Sequence, residues 1–379
     1  MSHSPSPALS TATFRERLED AVKRFLVRLI GLLVRAASAA AAPDGPVRNI
    51  LVVRQHDQLG DMLCAVPLLR ALRMKFPGAH IVLVTSLVNH AIMLNHPFVD
   101  AVLQYRKSPF SLLQFYRAFR GRRYDLAVVP TTVSISATSN FIALLSGARM
   151  RIGPRSLAGQ GNAGSYCFTT GVDLDWQNEP RRHQTLRNLD ILAPLNVAPG
   201  SLSMTIGITP SEKTAAQRII SSPRSRRKVL VGMHPGAGKV MNQWPPDRFA
   251  SLADRLHEEH GAGIVVTAGP MDDDPLQALR GHIRSEFLIV ERQPIRTVAA
   301  IIDQIDLFIT NDTGIMHVAA ATSASVLALF GPTDPLQWAP VGSKNKYIAA
   351  PDGLIGSLSV EQVYQMAVVA LEDLARPPA

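Results

Sequence analysis

The stretch from residue 305 to residue 321 constrains the fold of this chain most strongly. Residues 305–309 form a short apolar run, which is typical of a buried strand. Polar residues 310–313 and Gly314 then turn the chain, and an Ala-rich segment after His317 predicts a helix. A strand that leads through a polar loop into a helix is half of a βαβ unit, so the stretch predicts an α/β protein.

The start of this predicted helix is a candidate anion site. Its free N–H groups and its dipole both favour negative charge. A second apolar run, residues 325–330, follows the helix and ends in the polar turn 331–335. Two polar loops at adjacent strand ends would form a crevice of the kind in which α/β sheets bind ligands.

A similar pattern occurs nearer the N-terminus. Residues 49–54 predict a strand, and the polar loop after it contains Gly60 and Asp61. A helix is predicted over 62–76, with Pro67 as a kink. The other elements predicted in this half are strands at 81–84, 101–104 and 126–130 and helices at 112–119 and 139–145.

Residues 151–185 are predicted to be irregular because they are rich in Gly, Asn and Arg. They contain a basic cluster at 180–183, which could be a solvated loop or a contact for an acidic acceptor. Residues 194–210 are the predicted connector between two domains. The predicted boundaries are an extension and linker at 1–46, a first domain at 47–205 and a second domain at 206–358, with a final helix at 359–379 that could cross back to the first domain.

The second domain is predicted to repeat the α/β pattern from residue 228 onward. A strand at 228–233 leads into the Gly-rich loop 234–239, and Trp244 is expected to pack between elements. The remaining elements predicted there are helices at 246–260, 275–284 and 295–302, strands at 263–267 and 288–290, and the final helix at 360–374.

The net charge of +9 indicates an anionic partner: nucleic acid, phospholipid or a phosphorylated substrate. Nucleic acid is disfavoured because basic and aromatic residues do not alternate. The two cysteines, Cys64 and Cys167, are far apart in sequence and predict reduced core thiols in a cytosolic protein.

Residues 13–35 predict a basic amphipathic helix. Apolar residues recur at helical spacing from 18 to 33, and no acidic residue occurs from 21 through 43. Such a helix could lie on an anionic membrane surface, or it could pack on the body of the protein; a wrongly chosen start codon is a further alternative. The most apolar segment, 25–42, is interrupted by Arg28 and Arg35, so no membrane span is predicted.

Two polar loops carry candidate chemistry. Asp61 is predicted at a helix N-terminus, where the dipole keeps a carboxylate ionised and able to act as a general base; a plain N-cap is the alternative. The loop 234–239 contains glycines that let N–H groups approach phosphate, and Lys239 adds charge. Neither loop is a dinucleotide or Walker motif, because the first has one Gly and the second lacks Gly-Lys-Ser/Thr.

In combination, these motifs resemble glycosyltransferase family 9, the ADP-heptose:lipopolysaccharide heptosyltransferases and their relatives. The resemblance covers about residues 47–375. It rests on 50–54 (ILVVR), 57–61 (DQLGD), 67–72 (PLLRAL), 234–237 (HPGA), 244–245 (WP), 248–249 (RF), 311–314 (NDTG), His317, 319–320 (AA) and 330–335 (FGPTDP).

The resemblance implies a GT-B fold: two Rossmann-like parallel-sheet domains that face each other across a cleft, here with an N-terminal amphipathic helical extension. It implies inverting transfer without a metal or other cofactor, with Asp61 as the base. The donor-binding residues predicted in the second domain are His234, Gly236, Lys239, Asp272, Asp312, Thr313, Gly314 and His317.

Within that set, the helix start at Thr313 and Gly314, near His317, would bind the diphosphate. Asp312 would orient the turn or contact the sugar, and Asp272 would touch the ribose. His317 could instead be a core or capping histidine, and Asp334 is expected to be a turn residue. The chain departs from the family pattern at Asn242, where relatives usually carry a phosphate-binding Lys, and Lys239 could reach the same place.

The resemblance therefore implies an inverting glycosyltransferase that moves a heptose or related sugar from a nucleotide-sugar, ADP-heptose, to a lipopolysaccharide core or a similar envelope acceptor. A nucleotide-sugar-binding protein without catalysis is the alternative, and the intact Asp61 argues against it. The expected location is cytoplasmic, and peripheral on the inner face of the cytoplasmic membrane if the N-terminal helix binds lipid.

Overall fold

The structure, a computed structural model, describes residues 45–106, 119, 123–198, 200–221 and 229–375. The predicted N-terminal amphipathic helix lies outside these residues, as does the predicted helix at 112–119 apart from Phe119. The described residues form two sheets, and each sheet has buried apolar clusters on both of its faces. This is the layered α/β architecture predicted from the strand–loop–helix pattern.

The first sheet has seven strands in the order β3-β2-β1-β4-β5-β6, with β7 paired to β5. All of its pairs are parallel except the short β5–β6 pair. Its strands are β1 Asn49–Arg54, β2 His80–Ser86, β3 Ala101–Tyr105, β4 Leu126–Val128, β5 Met150–Leu157, β6 Gln160–Gly161 and β7 Thr170–Leu174. Its helices are α1 Leu59–Leu63, α2 Val66–Lys75, α3 Leu87–His90, α4 Ala137–Leu145 and α5 Gln184–Asp190.

The second sheet has six parallel strands in the order β10-β9-β8-β11-β12-β13. Its strands are β8 Leu230–His234, β9 Gly263–Ala268, β10 Phe287–Glu291, β11 Leu307–Asn311, β12 Ser325–Phe330 and β13 Asn345–Ala349. Its helices are α6 Pro210–Ile219, α7 Pro246–His260, α8 Asp273–His282, α9 Ile295–Ile302, α10 Gly314–Ala320, α11 Pro335–Trp338 and α12 Val360–Ala375.

Both sheets have a topological switch point. The strand order reverses between β1 and β4 in the first sheet and between β8 and β11 in the second. The loops that follow two such strands leave in opposite directions and open a crevice at the carboxyl ends of the strands. The motifs at Asp61, His234 and Asp312 follow β1, β8 and β11, so the fold places all three beside a switch point.

Residues 151–185 are not irregular, and that prediction was wrong. They contain most of β5, together with β6, β7 and the start of α5. The strand pattern of β5 is hidden because it contains Gly153 and Pro154, and its register shifts between Pro154 and Ser156. Gly153 is required there, since an added Cβ would lie 2.1 Å from the Phe168 ring.

The predicted kinked helix at 62–76 is two helices. The break falls at Cys64 and Ala65, and Pro67 lies in the first turn of α2. Proline is accommodated in a first turn because its missing N–H would have no partner inside the helix there. The first of the two helices, α1, begins at Leu59, and Asp61 lies within its first turn.

The final helix belongs to the second sheet. Val363, Tyr364, Ala367 and Ala370 of α12 are buried in the same apolar cluster as residues of α7, β11 and β12. The apolar face of α12 therefore completes the second core. No helix in the described parts of the chain is long and apolar enough to span a membrane.

The units built around the two sheets, here called the first and second domains, share buried surface. Ala299, Val318 and Ala321 of the second domain belong to the apolar core cluster of the first. Arg296 of α9 donates to the carbonyl oxygens of Ala91 at 3.2 Å and Leu94 at 2.9 Å. The contact between the domains is therefore both apolar and hydrogen-bonded.

Candidate functional site

Helix α1 of the first domain packs against α10 of the second. Gly60 lies so close to His317 that an added Cβ would be 2.6 Å from the His317 Cδ2 atom. On the other side of the contact, an added Cβ at Gly314 would lie 3.3 Å from the Leu59 Cβ. A glycine on each helix allows this close approach, which brings the predicted base and the predicted anion site to one interface.

Asp61 is buried at this interface. Its side chain is 3% exposed, and its Oδ1 atom has no hydrogen-bond partner. Oδ1 lies 3.9 Å from Nη2 of Arg54, which is 1% exposed at the end of β1. Burial raises the pKa of Asp61, and the positive charge of Arg54 opposes that rise. Sequence reasoning assigned no role to Arg54; a charged residue at the end of an apolar strand was the available signal.

Asn311 connects the loops at the second switch point, and it too was given no role in the sequence analysis. It is fully buried, and its Nδ2 donates to the carbonyl oxygens of Pro235 at 2.9 Å and Gly236 at 3.1 Å. Its Oδ1 accepts from the Trp244 backbone N–H at 3.0 Å. Each polar group of this side chain thus fixes a loop next to the predicted donor site. Trp244 is itself fully buried against Phe249, as expected.

Asp312 lies next to Asn242, the position where the chain departs from the family pattern. Asn242 Nδ2 is 3.4 Å from an Asp312 carboxylate oxygen and 3.3 Å from Thr333 Oγ1. Burial raises the pKa of Asp312, and a hydrogen bond from Thr333 and the charge of Lys239 lower it. Lys239 is exposed, and its positive charge acts on the Asp312 carboxylate. A cation is therefore present near Asn242, which is itself uncharged.

His234 and Asp272 form a buried pair behind the Gly-rich loop. His234 Nδ1 lies 3.0 Å from the Thr267 carbonyl oxygen, and His234 Nε2 lies 3.5 Å from Asp272 Oδ2. The same Asp272 oxygen accepts from the Gly269 N–H at 2.6 Å. Asp272 of this pair lies directly against Gly236 of the loop. The predicted contact of Asp272 with the ribose stays a prediction.

Replacing Gly236 with Ala is expected to weaken nucleotide binding by about ten- to a hundredfold, because overpacking a close contact costs about 1–3 kcal/mol. An added Cβ at Gly236 would lie 2.0 Å from Asp272 Oδ1. The matched control is Gly238→Ala in the same loop, where an added Cβ meets nothing within 4 Å. Calorimetric titration with ADP should separate the two variants, and equal dissociation constants would contradict this account of the loop.

His317 is a buried interdomain residue. It is 3% exposed, its Nδ1 has no partner, and its ring packs edge-on to Trp338 with centroids 6.2 Å apart. Burial, with a smaller effect from the charge of His183, lowers the pKa of His317 to about 3. The imidazole is therefore neutral at physiological pH, and it contributes packing against Gly60 rather than a positive charge.

The basic cluster at 180–183 bridges the two domains. Arg181 pairs with Asp334 through two contacts of 2.7 and 3.0 Å, and His183 Nε2 lies 2.9 Å from the Ala339 carbonyl oxygen. Asp334 also caps α11 by accepting from the Leu336 N–H at 3.0 Å. The cluster is thus not a free solvated loop, because it holds α11 and Trp338 against the first domain.

A cavity of about 490 Å³ opens at the carboxyl ends of β1, β2 and β3. It lies beside the loop that leads to Asp61, and two of its apolar lining residues, Leu87 and Val88, are more than half exposed. Its lining residues are Gln55, Asp57, Ser86, Leu87, Val88, Tyr105 and Arg106. Among the described residues, no cluster of three His, Cys, Asp or Glu side chains has a metal-binding arrangement.

Comparisons with known proteins agree with this geometry. The family profile described as glycosyltransferase family 9 (heptosyltransferase) matches residues 112–360. The lipopolysaccharide heptosyltransferase 3 of Escherichia coli is 26% identical over 302 residues, which are 74% of this chain and 83% of the relative.

Two solved structures share the fold. A glycosyl transferase family 9 protein of Veillonella parvula has a TM-score of 0.77 at 21% identity, over 88% of this chain and 99% of that one. The ADP-heptose LPS heptosyltransferase II of E. coli has a TM-score of 0.72 at 20% identity, over 87% of this chain and 100% of that one. The expected GT-B arrangement is thereby confirmed.

Proposed function

Because this chain belongs to glycosyltransferase family 9, the heptosyltransferases, we propose that it transfers a heptose from ADP-heptose to a lipopolysaccharide core acceptor. The observation that carries the proposal is the contact of α1 with α10. Through this contact, the helix that carries Asp61 in the first domain lies against the start of α10 at Gly314 in the second domain. A binding protein would need the donor loops alone, whereas transfer needs the carboxylate as well.

The proposed step is a single inverting displacement. Asp61 accepts the proton of the acceptor hydroxyl, and that oxygen forms a bond to the anomeric carbon of the sugar. The bond from this carbon to the diphosphate oxygen breaks, and its electron pair leaves with the nucleoside diphosphate. Thr313, whose hydroxyl does not cap α10, and the first-turn N–H groups of α10 stabilise the charge that develops on the leaving group.

The burial of Asp61 sets the order of events. When α1 is in contact with α10, the Asp61 side chain is only 3% exposed, so an acceptor cannot enter once this contact has formed. The acceptor therefore enters while the domains are apart, and their approach then removes water from the carboxylate. Desolvation of this kind makes a carboxylate a stronger base.

The direct test is a transfer assay with purified protein, ADP-heptose and a heptose-deficient lipopolysaccharide acceptor. We expect ADP release to depend on the acceptor and the product to gain one heptose by mass spectrometry. A protein that binds ADP-heptose but transfers to no core acceptor would favour the noncatalytic alternative. A thermal-shift panel of nucleotide-sugars, run alongside, tests the choice of nucleotide and sugar.

We further propose that Lys239 supplies the phosphate contact that Asn242 cannot. Lys239→Ala is expected to weaken ADP binding by about tenfold or more, since a charge-assisted phosphate contact contributes about 1.5–3 kcal/mol. Lys239→Arg keeps the charge and is expected to stay near wild type. Titrations at two salt concentrations provide the measurement, and an unchanged dissociation constant for Lys239→Ala would exclude the phosphate role.

The acceptor side lies in the first domain. The cavity beside β1, β2 and β3 combines an apolar wall at Leu87 and Val88 with Arg106, which suits an anionic, lipid-linked glycan. We propose that the basic N-terminal segment adds contact with an anionic membrane surface. Deleting residues 1–42 is expected to keep transfer to a soluble acceptor and to reduce sedimentation with anionic vesicles. Full sedimentation of the truncated protein would assign the membrane contact elsewhere.

A further inference from the structure

Arg54 occupies a site where a positive charge is costly. Its side chain is 1% exposed, and its Nε atom is buried without a hydrogen-bond partner. Its remaining contacts are long: Nη1 donates to the Pro130 carbonyl oxygen at 3.4 Å, and Nη2 donates to Thr132 Oγ1 at 3.3 Å and to the Asp61 carbonyl oxygen at 3.4 Å. A buried guanidinium held so loosely gives little stability in return for its desolvation.

The geometry of the Arg54–Asp61 pair differs from that of a structural ion pair in the same protein. Arg181 donates two hydrogen bonds, of 2.7 and 3.0 Å, to the Asp334 carboxylate, whereas Arg54 Nη2 lies 3.9 Å from Asp61 Oδ1. At that distance the two charges attract each other, but Arg54 Nη2 is too far away to donate a hydrogen bond to Asp61 Oδ1. Oδ1 is left with no protein donor although it is buried.

We propose that Arg54 is the positioning residue of the Asp61 base: it keeps the carboxylate ionised and oriented from a distance that leaves Oδ1 free for the acceptor hydroxyl. This inference rests on the proposed function, and it names the group that makes a buried carboxylate usable. Arginine suits the task because it stays charged even when buried, so it cannot take the proton meant for Asp61.

Other charged or titratable groups lie around α1 as well. Cys64 lies on the same helix, and burial followed by the charge of Asp61 raises the pKa of its thiol, so it is neutral. His317 packs on Gly60 and is also neutral. Asp312 reaches the same thiol from the second domain and adds negative charge. Arg54 is thus the cation among these neighbours that opposes the effect of burial on the pKa of Asp61.

The sign of the expected pH effect follows from this arrangement. Loss of the Arg54 charge raises the pKa of Asp61, so the carboxylate is protonated over a wider range of pH. We expect the acid limb of kcat/KM in Arg54→Gln to move to higher pH, with transfer at neutral pH reduced by about tenfold or more and recovering as pH rises. Arg54→Lys keeps a charge and is expected to have its acid limb closer to wild type.

The matched control is Arg151→Gln on β5 of the same sheet. Arg151 is half-buried and donates to the carbonyl oxygens of Cys167 and Ala148, each at 2.7 Å, so this variant also removes a guanidinium but not one facing Asp61. Its acid limb should match wild type. Circular dichroism and thermal unfolding of the full chain check folding in every variant, and if Arg54→Gln does not fold, the comparison of Arg54→Lys with wild type takes its place.

Two failures can be told apart. An Arg54→Gln enzyme that folds with the wild-type pH profile would overturn the positioning role. If Arg54→Gln does not fold, an Arg54→Lys enzyme whose acid limb moves to higher pH, although it keeps a positive charge, would overturn it. Neither result touches the proposed function as long as Asp61→Asn is inactive. If Asp61→Asn keeps full activity, the proposed base itself is wrong, whatever Arg54 does.

Discussion

Asp61→Asn is expected to lower sugar transfer by at least about a hundredfold, the usual contribution of a general base. The amide has nearly the shape of the carboxylate but cannot accept the acceptor proton. ADP binding should stay near wild type, because Asp61 lies in the first domain and the donor loops lie in the second. Steady-state transfer assays and ADP titrations on the same preparation provide both measurements.

Asp175→Asn is a suitable control for this variant. Asp175 is exposed in the first domain, where its side chain accepts from the Gln177 N–H at 3.1 Å. The control removes one carboxylate charge from the same domain without touching the interface, so its transfer rate should match wild type. Full activity of Asp61→Asn would mean that another group takes the proton, and the proposed mechanism would then be rejected.

Gly60→Ala is expected to reduce transfer by about a hundredfold, since a misplacement of about 1 Å at a reacting group can cost that much. The added Cβ would lie 2.6 Å from a ring atom of His317, and His317 is itself buried against Trp338. The ring has little room to yield, so α1 and α10 must move apart. Each domain should keep its own fold, and ADP affinity should change little.

Gly281→Ala is the matched control for Gly60→Ala. Gly281 also lies inside a helix, α8, but an added Cβ there meets nothing within 4 Å. The same chemical change is therefore expected to leave transfer intact and to raise helix stability slightly, by up to about 1 kcal/mol. If Gly60→Ala transferred sugar as fast as this control, close contact of the two helices would be unnecessary for catalysis.

The local elements were largely predictable from the sequence because their signals are local. Helices α7 and α9 and strand β12 have the predicted bounds, and the other predicted strands of the second sheet differ by a few residues. The predictions that were wrong concern segments in which tertiary packing overrides the local sequence pattern. Strand β5 tolerates Gly153 and Pro154 because Phe168 packs over the glycine and a register shift accommodates the proline.

The candidate site was only partly predictable. The sequence singled out the loops that follow β1, β8 and β11, because polar residues and glycine at strand ends are visible in the chain itself. It gave no role to Arg54 or Asn311, because the role of a buried polar side chain depends on the groups that it contacts in the folded protein. Arg54 and Asp61 are seven residues apart, but Asn311 contacts Gly236 from 75 residues away.

By itself, the sequence determined two α/β units and the motifs at their strand ends, because apolar runs, helical periodicity and turn residues act over a few positions. Only the tertiary structure decided that Gly60 meets His317 and that Arg181 holds Asp334, 153 residues away. Such contacts depend on how two finished domains fit together. That fit is a property of their surfaces, and no local pattern in the chain encodes it.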